Sequence, residues 1–281
     1  PLSLEELGML EHTAKLVVDN LKNAYGIILS CGPTGSGKTT TLYAIMNILN
    51  KPTVNITSVE DPIEYNIKYV NQTQINPAAG ITFANGLRSL LRQDPNIIMV
   101  GEIRDSETAG ISVQAALTGH LIVSSLHTND APTAIPRLFD LEVPPFLIAA
   151  TVNLIIAQRL VRKICQQCIY SYETPPEIKD LIMQQLKDLN ITDNSSVPKI
   201  IYKGKGCNSC NMLGYRGRMG IFEALEMNDK IKRLVIQPQF NLESIRKEIQ
   251  NGGFKTMFED GLYKVQLGKT TIEEVLRVIR E

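Results

Sequence analysis

The run Gly32-Pro33-Thr34-Gly35-Ser36-Gly37-Lys38-Thr39 constrains this chain more than any other. Its spacing is that of a phosphate-binding loop, G-x-x-x-x-G-K-[ST], and the apolar stretch Gly26-Ile27-Ile28-Leu29 stands just ahead of it. A buried strand that enters a glycine-rich turn and leaves as a helix turns several backbone N–H groups, and the positive end of the helix dipole, toward one concavity. That concavity suits the phosphates of ATP. Lys38 is placed to reach the β- and γ-phosphates and the Thr39 hydroxyl to hold Mg²⁺. Gly32 to Thr39, with Thr40 beside them, are therefore the candidate nucleotide-binding residues.

The rest of the first half alternates strands with helices. Apolar periodicity predicts an opening helix from Leu4 to Leu21 with Ser3 and Glu6 as its capping pair, then a strand over 26–31 and a helix over 37–49. Further strands are expected at 54–59, 97–100 and 121–124, and β-hairpin or extended chain at 63–76. Helices are expected after Thr82 and over 105–118, 131–140 and 144–157. Such alternation implies an α/β domain with a mostly parallel sheet covered on both faces. Residues 162–218 hold paired cysteines, glycines and a polar insert at Asp193-Asn194-Ser195-Ser196. Residues 220–281 read as helical, with Asn241 as an N-cap and Thr271-x-x-Glu274 as a capping box. The expected division is 1–160, 161–218 and 219–281.

Each predicted strand ends in polar groups, and in an open α/β sheet ligands lie outside the carboxyl ends of the strands. The second strand runs into Glu60, Asp61 and Glu64, the third into Gly101-Glu102-Ile103-Arg104-Asp105, and the fourth into His127-Thr128-Asn129-Asp130. Phosphoryl transfer needs a fixed metal, a positioned water and compensation of spreading charge. Glu102 stands where an acid can orient or deprotonate the attacking water. Gly101 occupies the place where a second nucleotide motif usually carries Asp, so the metal falls to Thr39, helped through water by Glu60 or Asp61. His127 is a candidate reporter of the γ-phosphate, while His120 reads as a satisfied core residue. Arg88, Arg92 and Arg104 are candidates to offset transition-state charge, including across a subunit boundary.

Cys165-x-x-Cys168 and Cys207-x-x-Cys210 place two thiol pairs on tight turns, a composition that suits a closed, structural Zn²⁺ site. Cys31, the fifth cysteine, reads as a small buried residue. The 281 residues carry 29 Lys+Arg and 29 Asp+Glu, a formal charge of zero that argues against a general nucleic-acid binder. No apolar stretch is long enough to span a bilayer, and no signal peptide is visible. A chain opening on Pro1 is expected to be a piece of a longer protein.

Four of these stretches together resemble the bacterial type II secretion and type IV pilus assembly ATPases: Gly32–Thr41 with Leu42-Tyr43, Ser58 to Tyr65, Leu87–Asp94 into Val100–Asp105, and Thr118-Gly119-His120 to Asp130. The resemblance covers nearly the whole chain. It implies a RecA-like motor domain, a cytoplasmic homo-hexamer docked peripherally on an inner-membrane platform protein, and an upstream domain that contributes arginines. By position, Lys38 is the loop lysine and Thr39 the magnesium ligand. Glu60, Asp61 and Glu64 form the acidic box, Glu102 is the catalytic glutamate, and His120 and His127 form the histidine box. The four cysteines match the metal-binding subdomain of the assembly and secretion branch, which retraction ATPases lack.

Two other readings compete. A nucleic-acid translocase of conjugation or DNA uptake would share the loop, but the neutral charge and the 6% aromatic content count against it. A nucleotide-gated docking module without turnover would have no need of Glu102.

Overall fold

The computed structural model describes residues 2–191 and 197–280, so the insert Asp193-Asn194-Ser195-Ser196 lies outside the described residues. In chain order the elements are α1 (Glu11–Asn20), β1 (Gly26–Cys31), α2 (Lys38–Leu49), β2 (Ile56–Glu60), β3 (Val70–Gln74), α3 (Phe83–Leu90), β4 (Ile97–Val100), α4 (Ser106–Leu117), β5 (Leu121–Leu126), α5 (Ala134–Asp140), α6 (Pro145–Thr151) and β6 (Val152–Ile164). There follow β7 (Ile169–Glu173), α7 (Pro176–Asp188), β8 (Ile200–Gly204), β9 (Tyr215–Glu226), α8 (Asp229–Val235), α9 (Leu242–Asn251), α10 (Met257–Gln266) and α11 (Ile272–Arg280).

The chain divides into two compact units, the first made of residues up to Gln158 with Phe222–Lys255, the second of Arg159–Ile221 with residues from Thr256 on. The segment 219–281, expected as one helical region, is thus shared between the two units. Its first residues belong to strand β9, because Ile221 and Phe222 are buried and extended rather than on a helix face.

In the first unit the sheet order is β3-β2-β4-β5-β1-β6-β9. Neighbours from β3 through β6 run parallel. The central strands are buried along their whole length, as near-continuous apolar runs such as Ile97-Ile98-Met99-Val100 require. Their common direction brings the C-terminal ends of β1, β2, β4 and β5 to one edge. Val17, Ile28, Tyr43, Met46, Leu154 and Phe222 belong to one buried cluster of this unit.

Several elements differ from expectation. The helix expected over 144–157 stops at Thr151, and Val152 begins a strand that pairs with β1 through Ile28↔Leu154 and Leu29↔Ile155. An unbroken apolar run carries no periodicity to separate helix from strand, and the β-branched residues decide for the strand. The segment 63–76 holds the single strand β3, parallel to β2, and no hairpin. Ser3 and Glu6 do cap each other, with Ser3 N–H donating to Glu6 Oε2 at 2.8 Å and Glu6 N–H to Ser3 Oγ at 3.2 Å. They close a turn, however, and the helix starts only at Glu11. Thr82 and Asn241 are N-caps as expected.

The second unit contains the antiparallel pair β7–β8, with Ile169 opposite Gly204 and Glu173 opposite Ile200. Helix α7 buries Ile182 and Leu186. Lys264 of α10 is 1% exposed, and its ammonium donates to the Gly220 carbonyl at 2.9 Å and to Asp260. The expected box at Thr271 is half formed. Glu274 N–H reaches Thr271 Oγ1 at 3.4 Å, but the Glu274 carboxylate, 2% exposed, turns to Arg162 and Arg277 instead.

Among the described residues no helix is long and apolar enough to cross a membrane.

Candidate active site and metal centre

Strand β1 delivers the chain to the loop, and α2 begins at Lys38 as expected. Gly32 has φ +150°, and a Cβ there would lie 2.4 Å from Ser36 Oγ and 2.6 Å from the Gln158 carbonyl oxygen, so only glycine fits the turn. Gln158, midway along β6, donates its side-chain N–H to the Ser36 carbonyl at 2.8 Å and accepts from Ser30 Oγ at 3.4 Å. It braces the loop from the neighbouring strand. Sequence reading passed over it, although a lone amide closing the run Leu154-Ile155-Ile156-Ala157 was a usable signal.

The loop fits a bound polyphosphate. Lys38 Nζ donates to the carbonyls of Gly32 and Pro33 at 2.8 and 2.9 Å, which coils its cation over the loop. Ser36 is 4% exposed, and its buried hydroxyl has no hydrogen-bond partner among the described residues. A buried donor with no acceptor carries a desolvation cost that an anion in the loop would relieve. Thr39 is half-buried at the first turn of α2 and Thr40 is exposed.

At the same sheet edge, Gly101 N–H donates to the Val59 carbonyl at 2.8 Å, and a Cβ at Gly101 would lie 3.3 Å from that same oxygen. The position is tight for Asp, which accounts for the glycine. Ser125 Oγ donates to the Gly101 carbonyl at 2.7 Å and so joins β5 to the turn that carries Glu102. Glu102, with a side chain 13% exposed, is held from two sides: Arg104 Nε donates to Oε2 at 2.6 Å, and His127 Nε2 lies 2.7 Å from Oε1. Burial, and next the Lys38 cation, hold the His127 pKa below its usual value against the opposing pull of Glu102. The neutral imidazole is thereby favoured, with Nε2 facing the Glu102 carboxylate. Arg104 also approaches Asp61 at 4.0 Å.

Glu60 is 2% exposed, and both its oxygens have partners. Oε2 accepts from Tyr43, and Oε1 accepts from Ser58 Oγ at 2.5 Å and Gln72 Nε2 at 3.0 Å. Asp61 and Glu64 are exposed. His120 is half-buried, with Nδ1 at 2.9 Å from the Ala115 carbonyl, and it closes the end of α4. Arg88 pairs with Glu107 at 2.8 Å between exposed side chains, and Arg92 reaches Ser89 at 3.5 Å. Thus Glu102, Arg104, Asp61 and His127 are brought together, while Arg88, Arg92 and His120 have other partners. The loop after His127 is secured by two groups that sequence reading did not single out. Arg246 pairs with Asp130 at 2.7 Å, and Glu223 accepts the Ala131 N–H at 2.7 Å.

In the second unit the sulfurs of Cys165, Cys168, Cys207 and Cys210 all lie within 4.8 Å of one another, with none in a disulfide. Cys165–Cys207 and Cys168–Cys210 are each 3.9 Å apart, and Cys207–Cys210 are 3.8 Å apart. A Zn–S bond of about 2.3 Å in a tetrahedron gives sulfur edges of about 3.8 Å, so the cluster has the size of a zinc site. Burial would raise the Cys210 thiol, but N–H groups of Cys207 and Gly214 donating to its sulfur at 3.2 and 3.3 Å outweigh it and bring the pKa to about 7. Such N–H···S bonds favour the thiolate that a metal needs.

Fold and site together define a phosphate-loop α/β protein carrying a four-cysteine cluster. The chain belongs to the type II/IV secretion system protein family, whose model matches residues 1–277. It is 46% identical over 280 residues to the type II secretion system ATPase E of Vibrio cholerae, covering all of this chain and 54% of that protein. It is 45% identical to the type IV pilus assembly ATPase PilB of Thermus thermophilus, covering 97% of this chain and 30% of that one. Among solved structures, the pilus retraction motor PilT with bound ADP superposes with a TM-score of 0.69 at 27% identity, covering 99% of this chain and 66% of that one. The chain spans about half the length of the secretion relatives it matches.

Proposed function

We propose that this chain is the ATP-hydrolysing motor part of a machine that assembles type IV pili or drives type II secretion. The observation that carries the reading is the meeting, at one edge of a parallel sheet, of a phosphate loop with Glu102, Asp61, Arg104 and His127. Relatives 46% and 45% identical to it are named as ATPases of the two kinds of machine.

The residues divide the work. Loop N–H groups, Ser36 and Lys38 take the phosphates, and Lys38 exchanges its carbonyl partners for phosphate oxygens. Thr39 holds Mg²⁺ with help from Asp61 and Glu64, and bound magnesium supplies charge neutralisation at the phosphate oxygens. Glu102 accepts the proton of the attacking water as that water closes on the γ-phosphorus and the β–γ bridging bond breaks. His127, a neutral donor to Glu102, reports the γ-phosphate through that carboxylate. Arg104, Arg88 and Arg92 are the candidates to offset transition-state charge, the last two from a neighbouring subunit of a homo-hexamer. The four cysteines hold Zn²⁺ as a structural clip. A peripheral position at the cytoplasmic face of the inner membrane, against a platform protein, follows from the same reading.

The test is turnover by an assembled preparation. Lys38→Ala should abolish most ATP affinity or turnover, and unchanged turnover would sink the assignment.

A further inference from the structure

Tyr43 lies five residues after Lys38 on the same helix, and its side chain is 0% exposed. Its hydroxyl reaches out of α2 to the acidic loop that follows β2. It donates to Glu60 Oε2 and accepts the backbone N–H of Glu64 at 3.2 Å. Its ring stands edge-on to Tyr65, with centroids 4.7 Å apart. One phenol therefore grips the loop at three points: a carboxylate, a main-chain amide and an aromatic face.

Glu60 is committed to this grip. It is buried, and Tyr43, Ser58 and Gln72 occupy its oxygens. The exposed acids of the loop, Asp61 and Glu64, lie within the anchored stretch from Glu60 to Tyr65. A tyrosine side chain has only two flexible torsions, so a shift of the phosphate-loop helix is transmitted to the acids rather than absorbed. Burial, reinforced by the Glu60 carboxylate, raises the Tyr43 hydroxyl well above its ordinary pKa, and it stays a donor.

We propose that Tyr43 is a positioning residue that ties the phosphate-loop helix to the 60–64 loop, so that Asp61 and Glu64 are presented to the magnesium of a nucleotide held by Lys38 and Thr39. This rests on the nucleotide-site reading above. Tyr43 itself touches neither nucleotide nor metal.

The experiment compares the affinity of a fluorescent ATP analogue with magnesium and with EDTA, on the intact chain, for wild type, Tyr43→Phe, Glu60→Gln and the double variant. Phenylalanine keeps the ring against Tyr65 and removes only the hydroxyl. Tyr43→Phe should keep its EDTA affinity within about twofold and lose about five- to tenfold of the gain that magnesium brings, the size of one ordinary hydrogen bond. Glu60→Gln should lose a similar share, and the double variant no more than either, because both cut one relay. If Tyr43→Phe unfolds, judged by its melting temperature, Glu60→Gln carries the same comparison alone. Retention of the full magnesium gain would overturn the proposal, as would an equal loss in both buffers, which marks simple packing. Wild type that binds no nucleotide would overturn the site reading and this inference with it. Normal wild-type binding with additive variants would overturn the relay alone.

Discussion

His127 Nε2 stands 2.7 Å from Glu102 Oε1, and Arg104 Nε stands 2.6 Å from the other oxygen of the same carboxylate. Two donors on different strand ends thus hold the residue proposed as the base. The pairing orients Glu102 with one partner at each oxygen, so the attacking water must use a remaining lone pair or displace one of the two. His127 is the weaker holder, being neutral. His127→Ala should leave ATP affinity within a few-fold while hydrolysis falls about tenfold or more, at the lower end of general-base effects. Nucleotide titration and phosphate release, measured on the same preparation, separate the two quantities.

The same pair predicts a pH dependence. The folded pKa of His127 is depressed below its ordinary value of about 6.5, chiefly by burial and by Lys38. The neutral imidazole is therefore present above that depressed pKa and gives way, as pH falls through it, to an imidazolium that holds the Glu102 carboxylate more tightly. Turnover should be flat across neutral pH and drop on the acid side of 6.5, and His127→Ala should lack that limb of the profile. A wild-type profile that instead falls between pH 8 and 7 would show a controlling group titrating above 6.5 and would contradict the depressed pKa of His127.

Purified protein should carry about one Zn²⁺ per chain, as a closed four-cysteine site requires. Cys207→Ser removes a sulfur that lies 3.9 Å from Cys165 and 3.8 Å from Cys210. It should release the metal and raise hydrogen exchange across 160–215, with nucleotide affinity unchanged. Elemental analysis that finds no metal in protein kept away from chelators would refute the site.

Glu274 ties the chain near Arg162 to the last helix. It accepts the Arg162 N–H at 3.0 Å, the Arg162 guanidinium at 2.6 Å and Arg277 Nε at 3.0 Å. Burial would raise its pKa, but these donors outweigh it and hold the carboxyl at about 2. A folded pKa below the unfolded value of about 4.3 contributes stability that is present above pH 4.3 and lost as pH falls toward 2. Glu274→Gln should cost about 2–3 kcal/mol at neutral pH, the range for hydrogen bonds to a charged group. The difference from wild type should shrink in acid, which chemical denaturation at pH 7 and pH 3 would reveal.

How much of this was legible in the sequence depended on how local the cause was. Gly32–Thr39 and the two cysteine pairs carry their spacing in the chain, and strand ends at Glu60, Glu102 and His127 followed from short apolar runs bounded by polar residues. Caps at Thr82 and Asn241 were local too. Strand β6 was misread because a buried run has no period, and only its pairing with β1 makes it a strand. The partners of Glu102 could not be read either. Arg104 and His127 come from different strand ends, and no spacing reports that they share one carboxylate. For the same reason Gln158 and Arg246 went unnoticed and Tyr43 was seen only as part of a motif, since each acts through a contact made across the sheet or between elements.

Assembly is the remaining proposal. Arg88 and Arg92 lie on the surface and pair with Glu107 and Ser89, so they are free to serve a neighbouring subunit only by exchanging those partners. Specific activity should rise with protein concentration as rings form, followed by light scattering. Mixing Lys38→Ala chains with wild type should lower activity more than dilution explains. A fully active monomer with a flat profile would show each chain to be self-sufficient.

The central claim is that the loop binds ATP and Glu102 takes the proton of its attacking water. Glu102→Gln keeps the shape while removing the base, and single-turnover hydrolysis measured beside ATP affinity tests it most directly. The account predicts wild-type affinity with hydrolysis slower by ~10² or more. Undiminished hydrolysis, or loss of ATP binding along with it, would contradict that role and make Glu102 a structural residue or a metal ligand.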